Sequence, residues 1–290
     1  CFIHVTVARA DELVSDGKAA VLIEAQTGNV LYEKNAHEQF APASMTKMMS
    51  MYLILEAIEN GSMKWDEVIR VSEHAASLGG SQVFLKPGEE MSVKDLFKSI
   101  AIASANDAVT ALAERVAGTE EKFVEQMNEK AKELGMKNTE FKNPTGLSTK
   151  GHLTTAYDMS IIGRHLVQDY PEITEFSGLY EDYIRQDTES PFWLVNTNKL
   201  LKYVDGVDGL KTGYTKEAGY CLTATANRDD MRVIAVVMGA SKSDIRNQEV
   251  ARLIEYAYEQ YELVPKLEDQ KLVSTGYNLL AKNRQFDIVT

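Results

Sequence analysis

Cysteine is nearly absent. Cys1 and Cys221 are the only two in 290 residues, too few for a disulfide framework and spaced unlike a zinc site. Long apolar runs are missing too: no stretch reaches the about 18 consecutive apolar residues that a membrane-spanning helix requires. The five histidines, His4, His37, His74, His152 and His165, show no His-x-x-x-His pairing, so a metal site has no support. Neither Gly-x-Gly-x-x-Gly nor Gly-x-x-x-x-Gly-Lys-Ser/Thr occurs, which leaves nucleotide binding without its phosphate-cradling loop. Positive charge is in deficit, with 31 Lys and Arg against 43 Asp and Glu and a net charge of −12. Such a surface repels polyphosphates and argues against nucleic acid as a partner. No internal repeat or low-complexity tract is present.

What remains is an ordinary globular composition, 44% hydrophobic and 26% charged, long enough for one main domain of about 200 to 250 residues plus a short extra segment. At the beginning, Cys1-Phe2-Ile3-His4-Val5-Thr6-Val7 is mostly apolar and runs into Ala8-Arg9-Ala10, a small-x-small triplet followed by Asp11 and Glu12. That pattern reads as the end of an export signal. Residues 1–10 are therefore expected to be a signal remnant. The expected location is exported: the extracellular face of the cytoplasmic membrane, the cell wall or the periplasm.

Two apolar runs, Ala19–Ile23 and Val30–Tyr32, flank the turn-forming Gln26-Thr27-Gly28-Asn29 and predict a hairpin over 18–34. From Ser44 to about Glu59 the pattern is helical and apolar on nearly every side, stopping at Asn60-Gly61, so this helix belongs inside the protein. Ser92 with Asp95 reads as a capping box that opens another helix through Ile102. Further helices are expected over 107–117, 120–134, 156–168 and 243–261. Strands return near Phe192–Val195, Gly209–Tyr214, Tyr220–Ala226 and Arg232–Met238. Strands at both ends around a helical middle predict one sheet beside a helical lobe, an α/β (α+β) arrangement with a cleft between the lobes as the natural site.

Within Ala41-Pro42-Ala43-Ser44-Met45-Thr46-Lys47, a hydroxyl and an amine stand three residues apart on one helix face. Ser-x-x-Lys alone is a weak signal, and Ser15-Asp16-Gly17-Lys18 is a second match in a polar turn. Lys47 differs because it is the only charged residue between Ala41 and Leu55. It either snorkels to solvent or pairs with a carboxylate, or it is desolvated and neutral, able to take the proton of Ser44. Ser104-Ala105-Asn106 sits in a break between helices, where a plain cap is the bland reading. Lys211-Thr212-Gly213 lies on an expected strand, where the bland reading is a surface lysine. Asp107 reads as an acidic residue in a helix first turn, Cys221 as a small buried side chain, and Tyr180 to Tyr183 as packing residues.

The ordered set Ser-x-x-Lys, Ser-x-Asn, Lys-Thr-Gly resembles that of the penicillin-binding proteins and serine β-lactamases. Over about residues 15 to 262 the chain resembles a D-alanyl-D-alanine carboxypeptidase of the low-molecular-mass penicillin-binding class. Asn143-Pro144-Thr145-Gly146-Leu147, His152-Leu153-Thr154-Thr155-Ala156 and Asn196-Thr197-Asn198-Lys199-Leu200-Leu201 are similar to stretches of that group. The resemblance implies a β-lactamase/transpeptidase-like fold, an antiparallel sheet flanked by helices with an inserted helical lobe. It implies Ser44 as the acylated nucleophile, Lys47 as its base, and Ser104 as proton relay. Asn106 would hold Lys47 and the substrate amide, Lys211 and Thr212 would bind the substrate carboxylate, and Gly213 would let a peptide lie against the strand. Backbone N–H groups of Ser44 and Tyr214 would form an oxyanion hole. No cofactor and no metal are implied.

The implied partners are the peptidoglycan stem peptide and β-lactam antibiotics as covalent inhibitors. Members of the class often continue into a β-rich module and an amphipathic membrane anchor. Residues 263–290 are accordingly expected to open a second module after a penicillin-binding domain over 11–262, with membrane association through such an anchor. Ala105 departs from the more familiar Gly or Asp of the middle motif, but its side chain is not a reacting group. A β-lactamase is the rival enzyme, yet no Leu-Asn dipeptide exists for the Glu-x-x-Leu-Asn stretch of class A. A D,D-endopeptidase would share all three motifs. A non-catalytic wall-binding module would need no lysine beside a serine in an apolar helix.

Overall fold

In the computed structural model, residues 13–268, 271–278 and 285–287 are described. The expected signal remnant, residues 1–10, lies outside the described residues. The chain opens with the hairpin β1 (Ala19–Glu24) and β2 (Val30–Lys34), as the two apolar runs predict. The turn is fastened by Glu24, whose carboxylate accepts the backbone N–H groups of Gln26 and Thr27 at 2.8 Å each. A 3-10 turn, Ala43–Thr46, then leads into α1 (Lys47–Glu59). The expected helix from Ser44 is thus divided, because Ala43 adopts a φ of +47° and the entry is too tightly wound for α-helical hydrogen bonds.

Two short strands not anticipated from the sequence, β3 (Val68–Arg70) and β4 (Glu90–Ser92), form a ribbon around α2 (Glu73–Ala76). The helical lobe continues through α3 (Val93–Ala101), α4 (Asn106–Ala117), α5 (Glu120–Glu133) and α6 (Ala156–Asp169). Ser92 caps α3 as expected, its hydroxyl accepting the Asp95 N–H at 3.1 Å. After α7 (Ile173–Ser177) comes a second ribbon, β5 (Glu181–Ile184) with β6 (Phe192–Val195). Phe192–Val195, expected among the returning strands, therefore pairs outside the main sheet. Tyr183, expected to pack, faces outward at 46% exposure across from Trp193.

The main sheet closes with β7 (Val207–Thr215), β8 (Gly219–Arg228) and β9 (Met231–Ala240), in spatial order β2-β1-β9-β8-β7 and antiparallel throughout. The β8–β9 turn carries Asp229 and Asp230 at positive φ, the backbone a tight hairpin of this hand requires. Helix α8 (Ser243–Gln260) covers the far face. Alternation along β1 shows why its apolar run is unbroken. Ala19, Val21 and Ile23 join the core under the helical lobe, while Ala20 and Leu22 join the core under α8. Among the described residues, β10 (Tyr261–Glu268), β11 (Lys271–Asn278) and β12 (Gln285–Asp287) form a separate three-stranded sheet. No helix among them is long and apolar enough to cross a membrane.

Helix α1 is apolar all round and runs through the lobe, packed on α3, α4, α5 and α6. Its N-terminal end abuts β7, and that junction positions the site.

Candidate active site

Lys47 opens α1 with no surface exposed. Its Nζ lies 3.1 Å from Ser44 Oγ and donates to the Thr145 carbonyl at 2.6 Å. Both partners are neutral oxygens, so the amine neither snorkels nor sits in an ion pair. Burial first, then the ammonium of Lys211, holds its pKa well below the ordinary lysine range, with the Asp107 carboxylate opposing. Ser44 is half-buried and faces the cleft.

The Thr145 carbonyl is presented by a turn built around Asn143. The Asn143 side-chain oxygen accepts the N–H groups of Thr145 and Gly146 at 3.2 and 2.7 Å and the Thr145 hydroxyl at 2.9 Å. Ser50 on α1 donates to the Pro144 carbonyl at 2.8 Å, tying the turn to the helix that carries Lys47. Gly146 has a φ of +82°, and a Cβ there would lie 1.9 Å from the Ala43 carbonyl oxygen. Only glycine allows this approach. In the sequence this stretch carries only a family resemblance; that Thr145 anchors Lys47 is not visible there, because a backbone carbonyl leaves no residue-type signal.

The helical side of the cleft also carries Ser104, at a φ of +63° and 3% exposure, its hydroxyl without a partner among the described residues. Asn106 follows at the start of α4. Its side-chain N–H donates to the Gly79 carbonyl at 2.7 Å and its backbone N–H to the Ser81 carbonyl at 2.7 Å, while Oδ1 is buried without a partner among the described residues. The expected hold of Asn106 on Lys47 is not made: the Lys47 amine donates to the Thr145 carbonyl, and the Asn106 amide nitrogen is committed to the loop of residues 79–85. Asp107 does more than fill a helix first turn. Fully buried, its carboxylate accepts the Val83 and Leu85 N–H groups at 3.1 and 3.0 Å as well as that of Ala108 at 2.9 Å.

The opposite wall is β7. Lys211 is 1% exposed, and its Nζ donates to the Thr212 carbonyl at 3.2 Å. The surface-lysine reading is therefore ruled out. Burial, then the nearby Arg246 guanidinium, pushes its pKa down to about 7. The Thr212 hydroxyl lies 2.6 Å from that of Thr197, so one donates to the other and a second proton remains free for a ligand. A Cβ on Gly213 would come within 2.9 Å of the Pro42 carbonyl and 3.2 Å of Ser44 N. This glycine first of all lets the strand reach the nucleophile's turn. Tyr214 is 53% exposed and stacks on Tyr220 with centroids 4.3 Å apart.

Between the walls lies a cleft of about 290 Å³, to which Ser44, Ser104, Thr212, Gly213 and Tyr214 contribute. Ser81 and Arg246 line it too without any signal in the sequence, and so does Thr197, which the sequence offered only as part of the Asn196–Leu201 stretch of family resemblance. A cavity of about 320 Å³ between α1 and α5 is lined by Glu56, Glu129 and Glu133 with Lys130. Its one serine, Ser62, donates its hydroxyl to the Ala57 carbonyl at 3.0 Å, and Lys130 is occupied by ion pairs to Glu56 and Glu133. Cys221 is buried and its thiol pushed up to about 11, which removes it as a nucleophile.

This arrangement suits acyl transfer: a hydroxyl beside a desolvated amine, N–H groups at a turn, and cations behind a strand. A family profile described as D-alanyl-D-alanine carboxypeptidase matches residues 5–242. The chain is 56% identical over 282 residues to the D-alanyl-D-alanine carboxypeptidase DacF of Bacillus subtilis, covering 97% of this chain and 72% of that protein. It is 40% identical over 259 residues to DacC of Escherichia coli, covering 86% of this chain and 63% of that one. Among solved structures, the D-alanyl-D-alanine carboxypeptidase DacD of Francisella tularensis superposes with a TM-score of 0.84 at 31% identity, over 97% of this chain and 82% of that one. Penicillin-binding protein D2 of Listeria monocytogenes, in its ampicillin-bound form, gives 0.75 at 33% identity, over 83% and 97%.

Proposed function

This chain belongs to the D-alanyl-D-alanine carboxypeptidase family of serine hydrolases, and we propose that it removes the terminal D-alanine from peptidoglycan pentapeptides through an acyl-enzyme on Ser44. The observation that carries the reading is the fully buried Lys47 amine 3.1 Å from the Ser44 hydroxyl. Its other contact, the Thr145 carbonyl, takes an N–H and leaves the lone pair of the neutral amine for the serine proton.

Ser44 Oγ attacks the carbonyl carbon of the penultimate D-alanine as its proton passes to Lys47 Nζ. The oxyanion is held by the N–H groups of Ser44 and Tyr214. Each such donor is worth about 10² to 10³ in rate. Collapse breaks the peptide bond, and the leaving amine takes a proton from Ser104, which is resupplied by Lys47. Water then cleaves the ester, releasing the shortened peptide and restoring Ser44. Lys211, in its charged form, and Thr212 bind the terminal carboxylate. Asn106 presents its free Oδ1 to the substrate amide.

The Listeria relative was solved with ampicillin bound, and a β-lactam presents the same carbonyl and carboxylate to the cleft. Penicillins are therefore expected to acylate Ser44. A peptidoglycan substrate calls for a location outside the cytoplasm, at the membrane's outer face, the wall or the periplasm; residues 263–290 are read as the start of a second module, and a membrane association would run through an amphipathic anchor.

The test incubates the protein with a labelled penicillin, maps the adduct by mass spectrometry, and assays D-alanine release from a D-Ala-D-Ala peptide. The expected results are an adduct of full penicillin mass on Ser44 and free D-alanine. An unmodified Ser44 together with an intact peptide would remove the proposal. A cross-linked muropeptide in the same assay separates the endopeptidase reading, and rapid loss of the adduct the β-lactamase one.

A further inference from the structure

We infer that His152 is a positioning residue for the Ser44–Lys47 pair: its imidazole links the backbone of the Asn143 turn to the carbonyl of Ala43, and so holds the nucleophile's turn against the loop that anchors the lysine. The inference rests on the reading of Ser44 as the nucleophile.

His152 is 3% exposed and Thr46 fully buried. Thr46 has a single hydroxyl proton, and it goes to the Ala43 carbonyl at 2.8 Å. The 2.9 Å contact between Thr46 Oγ1 and His152 Nε2 must therefore be a donation from Nε2–H to the hydroxyl oxygen. On the other side of the ring, Lys142 N–H donates to Nδ1 at 3.3 Å, which requires a lone pair there. These contacts fix one neutral tautomer, protonated on Nε2. They also order the chain of donations: Lys142 N–H to His152, His152 to Thr46, Thr46 to Ala43 C=O. Burial, then the nearby Lys142 ammonium, lowers the imidazole pKa to about 4, so the relay stays intact at neutral pH. A second proton would set Nδ1–H against the Lys142 N–H and break it.

Both ends of the relay matter to the chemistry. Ala43 precedes Ser44 and holds a φ of +47°, a left-handed conformation that costs an alanine free energy and survives only where its surroundings enforce it. The other end, Lys142, adjoins Asn143, whose side chain shapes the turn that offers the Thr145 carbonyl to Lys47. One imidazole thus ties together the two segments whose spacing sets the 3.1 Å approach of Lys47 Nζ to Ser44 Oγ. A displacement of about 1 Å at reacting groups can cost on the order of 10² in rate.

Two measurements test this. Long-range ¹H–¹⁵N correlation spectra of the intact protein, with His152 assigned through His152→Gln, are expected to show an Nε2–H tautomer at pH 7. An Nδ1–H tautomer or a charged ring would overturn the inference whether or not the protein proves to be an acyl-enzyme. The second measurement is the acylation rate with a fluorescent penicillin for wild type, Thr46→Val, His152→Ala and the double variant, with thermal melting of each. Acylation of the wild type at Ser44 secures the underlying reading. Each single substitution is then expected to slow acylation about ten-fold, with the double no slower than the slower single, because both break one chain. His152→Gln, which keeps an N–H donor, is expected to recover most of the loss. Multiplying rate losses in the double variant, or His152→Ala acylating at the wild-type rate, would sink the proposal.

Discussion

On the β7 wall, Lys211, Thr212 and Gly213 are placed by the sheet ladder itself, each paired in register with a residue of β8. On the helical wall, Ser44, Ser104 and the Thr145 carbonyl stand at breaks between elements. Ala43, Ser104 and Gly146 there all have positive φ, and side-chain bonds from Asn143, Thr46 and Asp107 hold the backbone. A strand positions its residues by a repeating backbone pattern that tolerates many side chains. The helical wall depends on single hydrogen bonds and single glycines, and so should be the more easily broken of the two.

The largest effect should come from Lys47→Ala. Loss of the base is expected to slow penicillin acylation by about 10² to 10⁴, read by stopped flow, while the folded fraction remains. Next come the two glycines that abut the Ser44 turn from opposite walls. In Gly146→Ala the added Cβ would sit 1.9 Å from the Ala43 carbonyl oxygen at a φ of +82°. A loss of about 3 to 5 kcal/mol in denaturant unfolding is expected. Gly213→Ala meets the Pro42 carbonyl at 2.9 Å without a positive φ, so its loss should be smaller, about 1 to 3 kcal/mol. Equal losses would erase the contrast between the walls.

A pH profile separates the walls without mutation. Lys47, with its pKa well lowered, becomes a competent base as pH rises, so the acylation rate constant should climb with pH. Lys211 loses its charge as pH rises through about 7 in the free enzyme, so affinity for a carboxylate-bearing peptide should fall over the same range. The product is a bell in kcat/KM. A peptide amide lacking the carboxylate should lose the alkaline fall and keep the rise. The smallest effect is expected far from both walls, at the His74–Glu120 pair, where the histidine side chain is 56% exposed. Glu120→Gln should cost under about 1 kcal/mol and leave acylation unchanged.

Much of this architecture could be read from residue pattern. The β1–β2 hairpin, the apolar α1, the capped α3 and the strands β7 to β9 follow from periodicity and turn chemistry. The β3–β4 ribbon and β5 did not, because strands of three or four residues carry few alternations to stand out from loop; β6 was expected as a strand, but its pairing with β5 outside the main sheet was not. Lys47 was conspicuous as a lone charge in an apolar run. Thr145 and His152 were not, since one acts through a carbonyl that every residue possesses and the other through a tautomer that only its neighbours define. Asp107 looked like a first-turn acid because its partners, Val83 and Leu85, lie more than twenty residues away.

Residue order alone determined which groups the protein has for chemistry: one serine one turn before a lysine with no charged neighbour, a serine and an amide at a helix start, a lysine and a small residue on a strand. Local pattern can carry that much because helix and strand periodicity act over a few residues. Only the tertiary structure decided that the lysine is shut from water with a carbonyl as its second partner, that the strand's glycine touches the nucleophile's turn, and that an imidazole braces Ala43. Those outcomes depend on contacts between segments tens to more than a hundred residues apart, where burial and hydrogen-bond direction are properties of the packed assembly and not of any stretch of chain.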